Sequence, residues 1–290
     1  MKIIITGPNG FIAKNIINSF KFNKDITLLT NNKIRYPFFN KFKVLNFDLG
    51  KNIPKLSCDI LIHPAAITPQ KNYSWNEYNK INYLSLKKII KNIKINKRLI
   101  FFSTTDIYKN QKIKKFFLAK ENTKIDEKKL GNYAKSKYRC ELFLKSLDQK
   151  KYSFKTIILR LPGIVGRQSH KTFISNLANS ITSKKSVSFF GGNNLFNNIY
   201  HIDKLVKIIK YFIKFKFNKR YEIINISTNN PVTIKKVIQI SGVKVKKSNA
   251  NDNKKDMFVI DVNKLNKYYK IKYDTSRVLK KYFRENYIGK

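Results

Sequence analysis

The stretch 131–142 reads GNYAKSKYRCEL and sets Tyr133 and Lys137 four positions apart. In a helix that spacing stacks the two side chains on one face. A free phenol titrates near ~10, too high for a base at neutral pH. An ammonium within ~4 Å, at an effective dielectric of about 20, stabilises the phenolate by up to about 4 kcal/mol, or roughly three pK units. Such a pair can do acid/base work. Spacing alone does not single it out, because the chain is rich in both residue types and Lys135 lies between them without satisfying the same geometry.

A second chemical feature opens the chain, TGPNGFIA at residues 6–13. Gly7 and Gly10 let the backbone turn sharply and approach a phosphate, and a helix starting near Gly10 aims its free N–H groups at that anion. Ala13 is the third small position, where helix and strand pack closely. The elements around these residues alternate. KIIIT (2–6), ITLLT (26–30), KVLNFD (43–48), DILIH (59–63), LIFFS (99–103) and KTIILRL (155–161) read as short strands, apolar on both faces. FIAKNIINSF carries Phe11, Ile12, Ile16, Ile17 and Phe20 at helical spacing, residues 79–95 form an amphipathic helix, and the Tyr133–Lys137 stretch is a third. Doubly apolar strands separated by helices predict a parallel sheet covered on both sides, so the first 160 residues are expected to be a doubly wound α/β unit. In that setting the glycine turn reads as a dinucleotide site rather than an ordinary strand-to-helix turn.

Composition narrows the classes. With 290 residues and 34.2 kDa, the chain has room for one large or two small domains. Its 42% hydrophobic and 13% aromatic content excludes a disordered basic tail. A net charge of +44 admits a polyanion-binding reading. However, the 61 basic residues comprise 53 lysines and only 8 arginines, beside abundant Asn, Ile, Tyr and Phe. All these residues share A- and T-rich codons, which points to a general drift, whereas readers of bases and phosphates lean on arginine forks. No nucleic-acid partner is expected. Cys58 and Cys140 have no metal-like spacing, so neither a metal nor a disulfide framework is expected. MKIII is too brief for a signal core and no run approaches the ~20 apolar residues of a spanning helix, so the expectation is a cytoplasmic protein without membrane insertion.

TGPNGFIA, HPAA (63–66), FFSTTDIY (101–108), YAKSK (133–137) and LRLPGIVG (159–166) stand in an order and spacing that resembles the extended short-chain dehydrogenase/reductases, the NAD-dependent epimerases and dehydratases acting largely on nucleotide sugars. The resemblance implies a Rossmann domain with a smaller C-terminal substrate-binding domain. It casts Tyr133 as the acid/base, Lys137 as the residue that binds the nicotinamide ribose and lowers the tyrosine pKa, and Thr104 as the hydroxyl that completes the group. It further implies cofactor contacts at Gly7, Asn9, Gly10, Phe11, Ile12, Ala65 and Ala66, and at Asp48 through the adenine amino group. His63 is assigned to packing. At the end of the second strand, LLTNNK carries no acid to bind ribose hydroxyls and repel a 2′-phosphate, and Asn31, Asn32 and Lys33 suit that phosphate, which favours NADP over NAD.

Family dehydratases resemble T-D-E-x-Y, whereas Thr104-Thr105-Asp106-Ile107-Tyr108 has an incomplete acidic pair, leaving epimerisation or keto-sugar reduction. Thr105 and Asp106 are expected beside the substrate. Many family members clamp the diphosphate with an arginine where this chain has Asn197; Arg167 and Arg277 are the candidate substitutes. The predicted division is 1–161 for the dinucleotide domain, its sheet completed by YEIINIS (221–227), and 162–220 with 228–290 for the substrate domain, with SNANDNKKD (248–256) a polar loop. A homodimer is expected through the helices near 79–95 and 132–148. The overall reading is an NAD(P)-dependent epimerase or keto-sugar reductase in surface-polysaccharide precursor synthesis. Its rivals are a non-catalytic cofactor-binding subunit and a polyanion-binding protein.

Overall fold

A computed structural model of the chain describes residues 1–20, 25–49, 51, 53–111, 116–148, 150–170, 172–249, 257–270 and 273–287. In chain order the strands and helices of the first half are β1 (Ile3–Thr6), α1 (Phe11–Asn18), β2 (Ile26–Thr30), β3 (Lys43–Asn46), β4 (Leu56–His63), α2 (Trp75–Tyr78), α3 (Ser85–Asn92) and β5 (Ile93–Thr104). Then come β6 (Phe116–Ala119), α4 (Asn132–Lys145), β7 (Lys155–Leu161), β8 (Gly163–Val165), α5 (Phe173–Thr182), β9 (Val187–Phe190), β10 (Leu195–Phe196), β11 (Ile199–His201) and α6 (Ile202–Lys214). The chain closes with β12 (Tyr221–Asn225), β13 (Val232–Thr233), α7 (Ile234–Ser241), β14 (Val245–Asn249), β15 (Met257–Ile260), α8 (Asn263–Tyr268) and α9 (Thr275–Tyr287).

Seven strands form the main sheet in the order β12-β7-β5-β4-β1-β2-β3. Ile3–Thr6 runs parallel to Ile26–Leu29 on one side, and Ile3–Ile5 to Ile60–Ile62 on the other. The strand order therefore reverses between β1 and β4, and ligands of open α/β sheets bind outside the carboxyl ends at such a point. Strands hidden on both faces need continuous apolar runs, which is why Ile3, Ile4, Ile5, Leu61, Ile62, Leu99 and Ile100 are all buried.

Two compact units make up the chain. The first comprises Met1–Thr104, Leu130–Arg160 and Val206–Ile223, and the second Thr105–Lys129, Leu161–Leu205 and Ile224–Lys290. The core of the first gathers Leu61, Leu86, Ile89, Leu99, Cys140 and Ile158; that of the second gathers Val165, Ile174, Val237, Leu279 and Phe283. Residues 250–256 of the expected polar loop lie outside the described residues.

The helix expected over 79–95 differs in two ways. Residues Asn79–Leu84 form a π-helical turn between α2 and α3. At the other end, Ile93 is already extended (φ −106°, ψ 112°), and Ile93 and Ile95 are buried while Lys94 and Asn96 are exposed. That alternation has the period of a strand, so β5 begins six residues before LIFFS.

Candidate active site

The glycine turn is built by close approach. Gly7 has φ +62°, and a Cβ there would lie 3.0 Å from Ala65 Cβ and 3.1 Å from its Cα. Glycine is thus required both for the left-handed backbone and for packing the turn after β1 onto the turn after β4. The Gly10 amide donates to Gly7 O at 3.0 Å, and α1 starts at Phe11 with no side-chain cap on its first turn. Uncapped N–H groups behind a tight turn are suited to a phosphate. Phe11 and Ala13 are buried beneath the turn and Ile12 is half-buried. Asn9 latches a third loop in place, its Nδ2 donating to Lys33 O at 3.1 Å and its Oδ1 accepting from Arg35 N at 3.0 Å. This draws the exposed Asn31–Lys33 segment after β2 to the glycine turn.

From Thr6 a chain of contacts leads to Lys137. Thr6 Oγ1 accepts from Ala65 N at 3.2 Å and is hydrogen-bonded to His63 Nδ1 at 2.8 Å, with donor and acceptor set by the imidazole tautomer. His63 is 1% exposed; burial, aided by the nearby Lys137 charge, pushes its pKa down to about 3 and keeps the ring neutral. It stacks on Phe101 with centroids 6.0 Å apart, a packing role. Phe101 in turn faces the Lys137 ammonium, 4.8 Å from the ring centroid.

Lys137 is 3% exposed, and its Nζ makes no hydrogen bond among the described residues. Burial pulls its pKa down to about 8, opposed by Cys140 and Glu141. At neutral pH the ammonium persists, and the lack of an acceptor among the described residues fits a hydroxyl-bearing ligand such as a dinucleotide ribose. Tyr133 sits half-buried in the first turn of α4, its ring 5.9 Å from that of buried Tyr78. Thr104 ends β5 and is 6% exposed. The first unit therefore carries the glycine turn, Thr104, Tyr133 and Lys137 together. Asp48 is half-buried just past β3, with Lys51 N donating to its carbonyl at 3.1 Å; Ala66 is half-buried beside Ala65.

Two groups escaped the sequence reading. Asn82, in the π turn, accepts from Ile67 N at 2.9 Å and donates to Ile67 O and to Ser136 Oγ, both at 3.1 Å. Ser136 Oγ donates to Tyr133 O at 2.8 Å, so Asn82 fixes the first turn of α4 against the loop after β4. A polar residue in line with Tyr78, Leu86 and Ile89 on a buried stripe was the available signal. The second is Glu141, buried with Arg160 and Ser103.

The residues expected at the substrate all belong to the second unit. Thr105 is 1% exposed and shares its hydroxyl hydrogen between Asn198 Oδ1 (2.8 Å) and Leu161 O (3.2 Å). Asn197 is 2% exposed, donates to Thr228 O and Ile260 O, and accepts from Ile260 N. With their hydrogens committed to neighbouring groups, both act here as supports of the second unit. Asp106 pairs with Lys109 Nζ at 2.6 Å, and Ile107 beside it is fully buried, so no second acid follows Thr104. Arg167 is exposed after Gly166. Arg277 is also exposed, stacks on Tyr273 at 4.8 Å, and lines a cavity of about 720 Å³ with Lys204, Lys280, Lys281 and Arg284.

A switch-point glycine turn joined by contacts to a buried lysine four residues after a tyrosine defines a dinucleotide-dependent enzyme. The NAD dependent epimerase/dehydratase family model matches residues 3–227, and the chain belongs to this family. Compared with the sequences of curated proteins, the chain has no significant match. Among solved structures it is similar to UDP-glucuronic acid 4-epimerase from Bacillus cereus in complex with NAD, with TM-score 0.77 and 19% identity over 99% of this chain and 98% of that one. It is also similar to UDP-N-acetylglucosamine 4-epimerase from Methanobrevibacter ruminantium M1 in complex with UDP-N-acetylmuramic acid (TM-score 0.76, 20% identity, 98% and 96% covered). A third is ADP-L-glycero-D-manno-heptose-6-epimerase from Helicobacter pylori (TM-score 0.76, 18% identity, 98% and 96% covered). At these identities the likeness is one of fold. Among the described residues, no helix is long and apolar enough to cross a membrane.

Proposed function

We propose that the chain is an NAD(P)-dependent epimerase of a nucleotide sugar, serving surface-polysaccharide precursor synthesis in the cytoplasm. The observation that carries this reading is the buried Lys137, its ammonium over the Phe101 ring and without an acceptor among the described residues, on the helix face that bears Tyr133. When bound, the nicotinamide cofactor accepts and returns a hydride. The chain's part is to hold and move the proton. Tyr133, as phenolate, takes the proton of the sugar hydroxyl as the carbon is oxidised, and gives it back after the keto-sugar has presented its other face. Lys137 stabilises that phenolate and engages ribose hydroxyls, and Thr104 donates to the reacting oxygen. The incomplete acidic pair at Thr105-Asp106 speaks against dehydration.

Gly7, Asn9, Gly10, Phe11 and Ile12 hold the pyrophosphate; Ala65 and Ala66 admit the cofactor backbone, and Asp48 meets the adenine. NADP is the cofactor favoured, because no acid follows β2 and Asn9 fixes the Lys33–Arg35 backbone beside the glycine turn. Segments 162–220 and 228–290 bind the nucleotide sugar, with Asp106, Arg167 and Arg277 on its polar groups. Related structures solved with UDP-sugar ligands support that substrate class. A homodimer through the helices near 79–95 and 132–148 is supported by Leu84 and Leu142, exposed by 39% and 43%. Incubation with a panel of nucleotide sugars and either dinucleotide, with chromatography of the products, tests the reading. Appearance of an epimer supports it. Stoichiometric consumption of NADPH with a keto-sugar would favour the reductase, and no product with any sugar would refute both.

A further inference from the structure

Glu141 lies one helical turn beyond Lys137 and is 2% exposed. Its Oε1 accepts from Ser103 Oγ at 2.5 Å and from Arg160 Nε at 3.1 Å, and its Oε2 accepts from Arg160 Nη2 at 2.6 Å and Nε at 3.2 Å. Ser103 immediately precedes Thr104 on β5, and Arg160 is 3% exposed on β7. One carboxylate thus joins three elements. A buried ion pair is weak evidence of stabilisation, since desolvation offsets the attraction and apolar replacements are often as stable. Its placement calls for another account.

We propose that Glu141 is a positioning residue, clamped by Arg160 and Ser103, which fixes the Thr104 strand end to the Tyr133–Lys137 helix face and provides the anion that keeps Lys137 charged. This rests on the epimerase reading above. The groups facing the ammonium are His63 on β4, the Phe101 ring on β5, and Cys140 and Glu141 on α4. Those facing Glu141 are Ser103, Arg160, Lys137 and Tyr221, whose hydroxyl donates to the Glu141 carbonyl at 3.1 Å. Burial leaves His63 neutral down to about pH 3 and pushes the Cys140 thiol up to about 12. Tyr221 is raised as well, again chiefly by burial, so it stays a neutral phenol. The anion acting on Lys137 is therefore Glu141, itself held by Arg160. Deleting Glu141 removes that anion, which disfavours the ammonium.

The test compares wild type, Glu141→Gln, Ser103→Ala and the charge-free pair Glu141→Met/Arg160→Met. It follows kcat and KM against pH, together with the Lys137 titration by NMR of 15Nζ-labelled lysine. Expected for Glu141→Gln are a kcat lower by about tenfold or more at pH 7.5, a KM changed by less than about threefold, and a Lys137 midpoint lowered by about one unit. The charge-free pair leaves both the midpoint and kcat lowered, because the anion and the clamp are both absent. Ser103→Ala lowers kcat without moving the midpoint. If Glu141→Gln fails to fold, the other two variants decide: full kcat in either overturns the positioning role. A folded Glu141→Gln with the wild-type midpoint overturns the charge role. An inactive wild type would refute the epimerase reading and the positioning role with it, while the NMR midpoints still decide the charge on Lys137.

Discussion

Lys137 Nζ stands 4.8 Å from the centre of the Phe101 ring, and His63 stacks on that same ring. One aromatic side chain therefore links an ammonium of the acid/base helix to an imidazole bonded to the last residue of β1. The charge states on its two sides follow from burial. Lys137 is held down to about 8 and His63 down to about 3.

For Lys137 the folded value lies below the ordinary 10.5, so its charge is present below about pH 8 and lost as pH rises through that value. Turnover is expected to have an alkaline limb near pH 8. Lys137→Met should lower kcat by about 10²-fold or more. A pH–rate profile flat from 7 to 9.5 in the wild type would contradict this.

His63 bears on stability. Its folded value lies below the ordinary 6.5, so the unfolded chain binds the extra proton, and stability falls as pH drops below 6.5 toward 3. The loss between pH 6.5 and 5 is expected to be about 2 kcal/mol. Urea unfolding across that range should show a smaller slope for His63→Asn than for wild type. Equal slopes would exclude His63 as the source.

Gly7→Ala meets two obstacles, a φ of +62° and a Cβ 3.0 Å from Ala65 Cβ. A loss of about 1–3 kcal/mol is expected in urea unfolding, together with weakened dinucleotide binding. Gly7→Ala/Ala65→Gly should recover only part of the stability, since it relieves the contact and leaves the backbone strain. Full recovery would show that the contact alone matters.

Cofactor choice is tested at the loop that Asn9 latches. The wild type is expected to bind NADP more tightly than NAD, and Lys33→Glu should weaken NADP by about tenfold while changing NAD little. Fluorescence titration with the reduced forms reads both constants, and a wild-type preference for NAD would overturn the assignment.

The sequence made much of the first unit legible because its strands are apolar on both faces. Lys155–Leu161 and Ile26–Thr30 run as expected, and the parallel, doubly wound order followed from that patterning. The limits of the 79–95 helix were harder to see. Ile93 and Ile95 satisfy a helical stripe and a strand alternation equally over so short a run, and only pairing with Leu56 and Cys58 decides it. The hydrogen-bonding roles of Asn82, Glu141 and Asn197 were hidden for a different reason. Their partners lie 15 to 63 positions away, at Ile67, Ser103, Thr228 and Ile260, and such distant hydrogen bonds leave no periodic trace. The five motif blocks located the glycine turn, Thr104, Tyr133 and Lys137 through their order along the chain, where a lone YxxxK in so lysine-rich a protein would have carried little weight.

The central claim is that Tyr133 moves the proton while other residues hold the cofactor. It is tested most directly by comparing Tyr133→Phe with wild type for dinucleotide affinity and epimer formation on the same preparation. The account predicts affinity within about twofold of wild type and turnover lower by about 10³-fold. Undiminished turnover in that variant would contradict it.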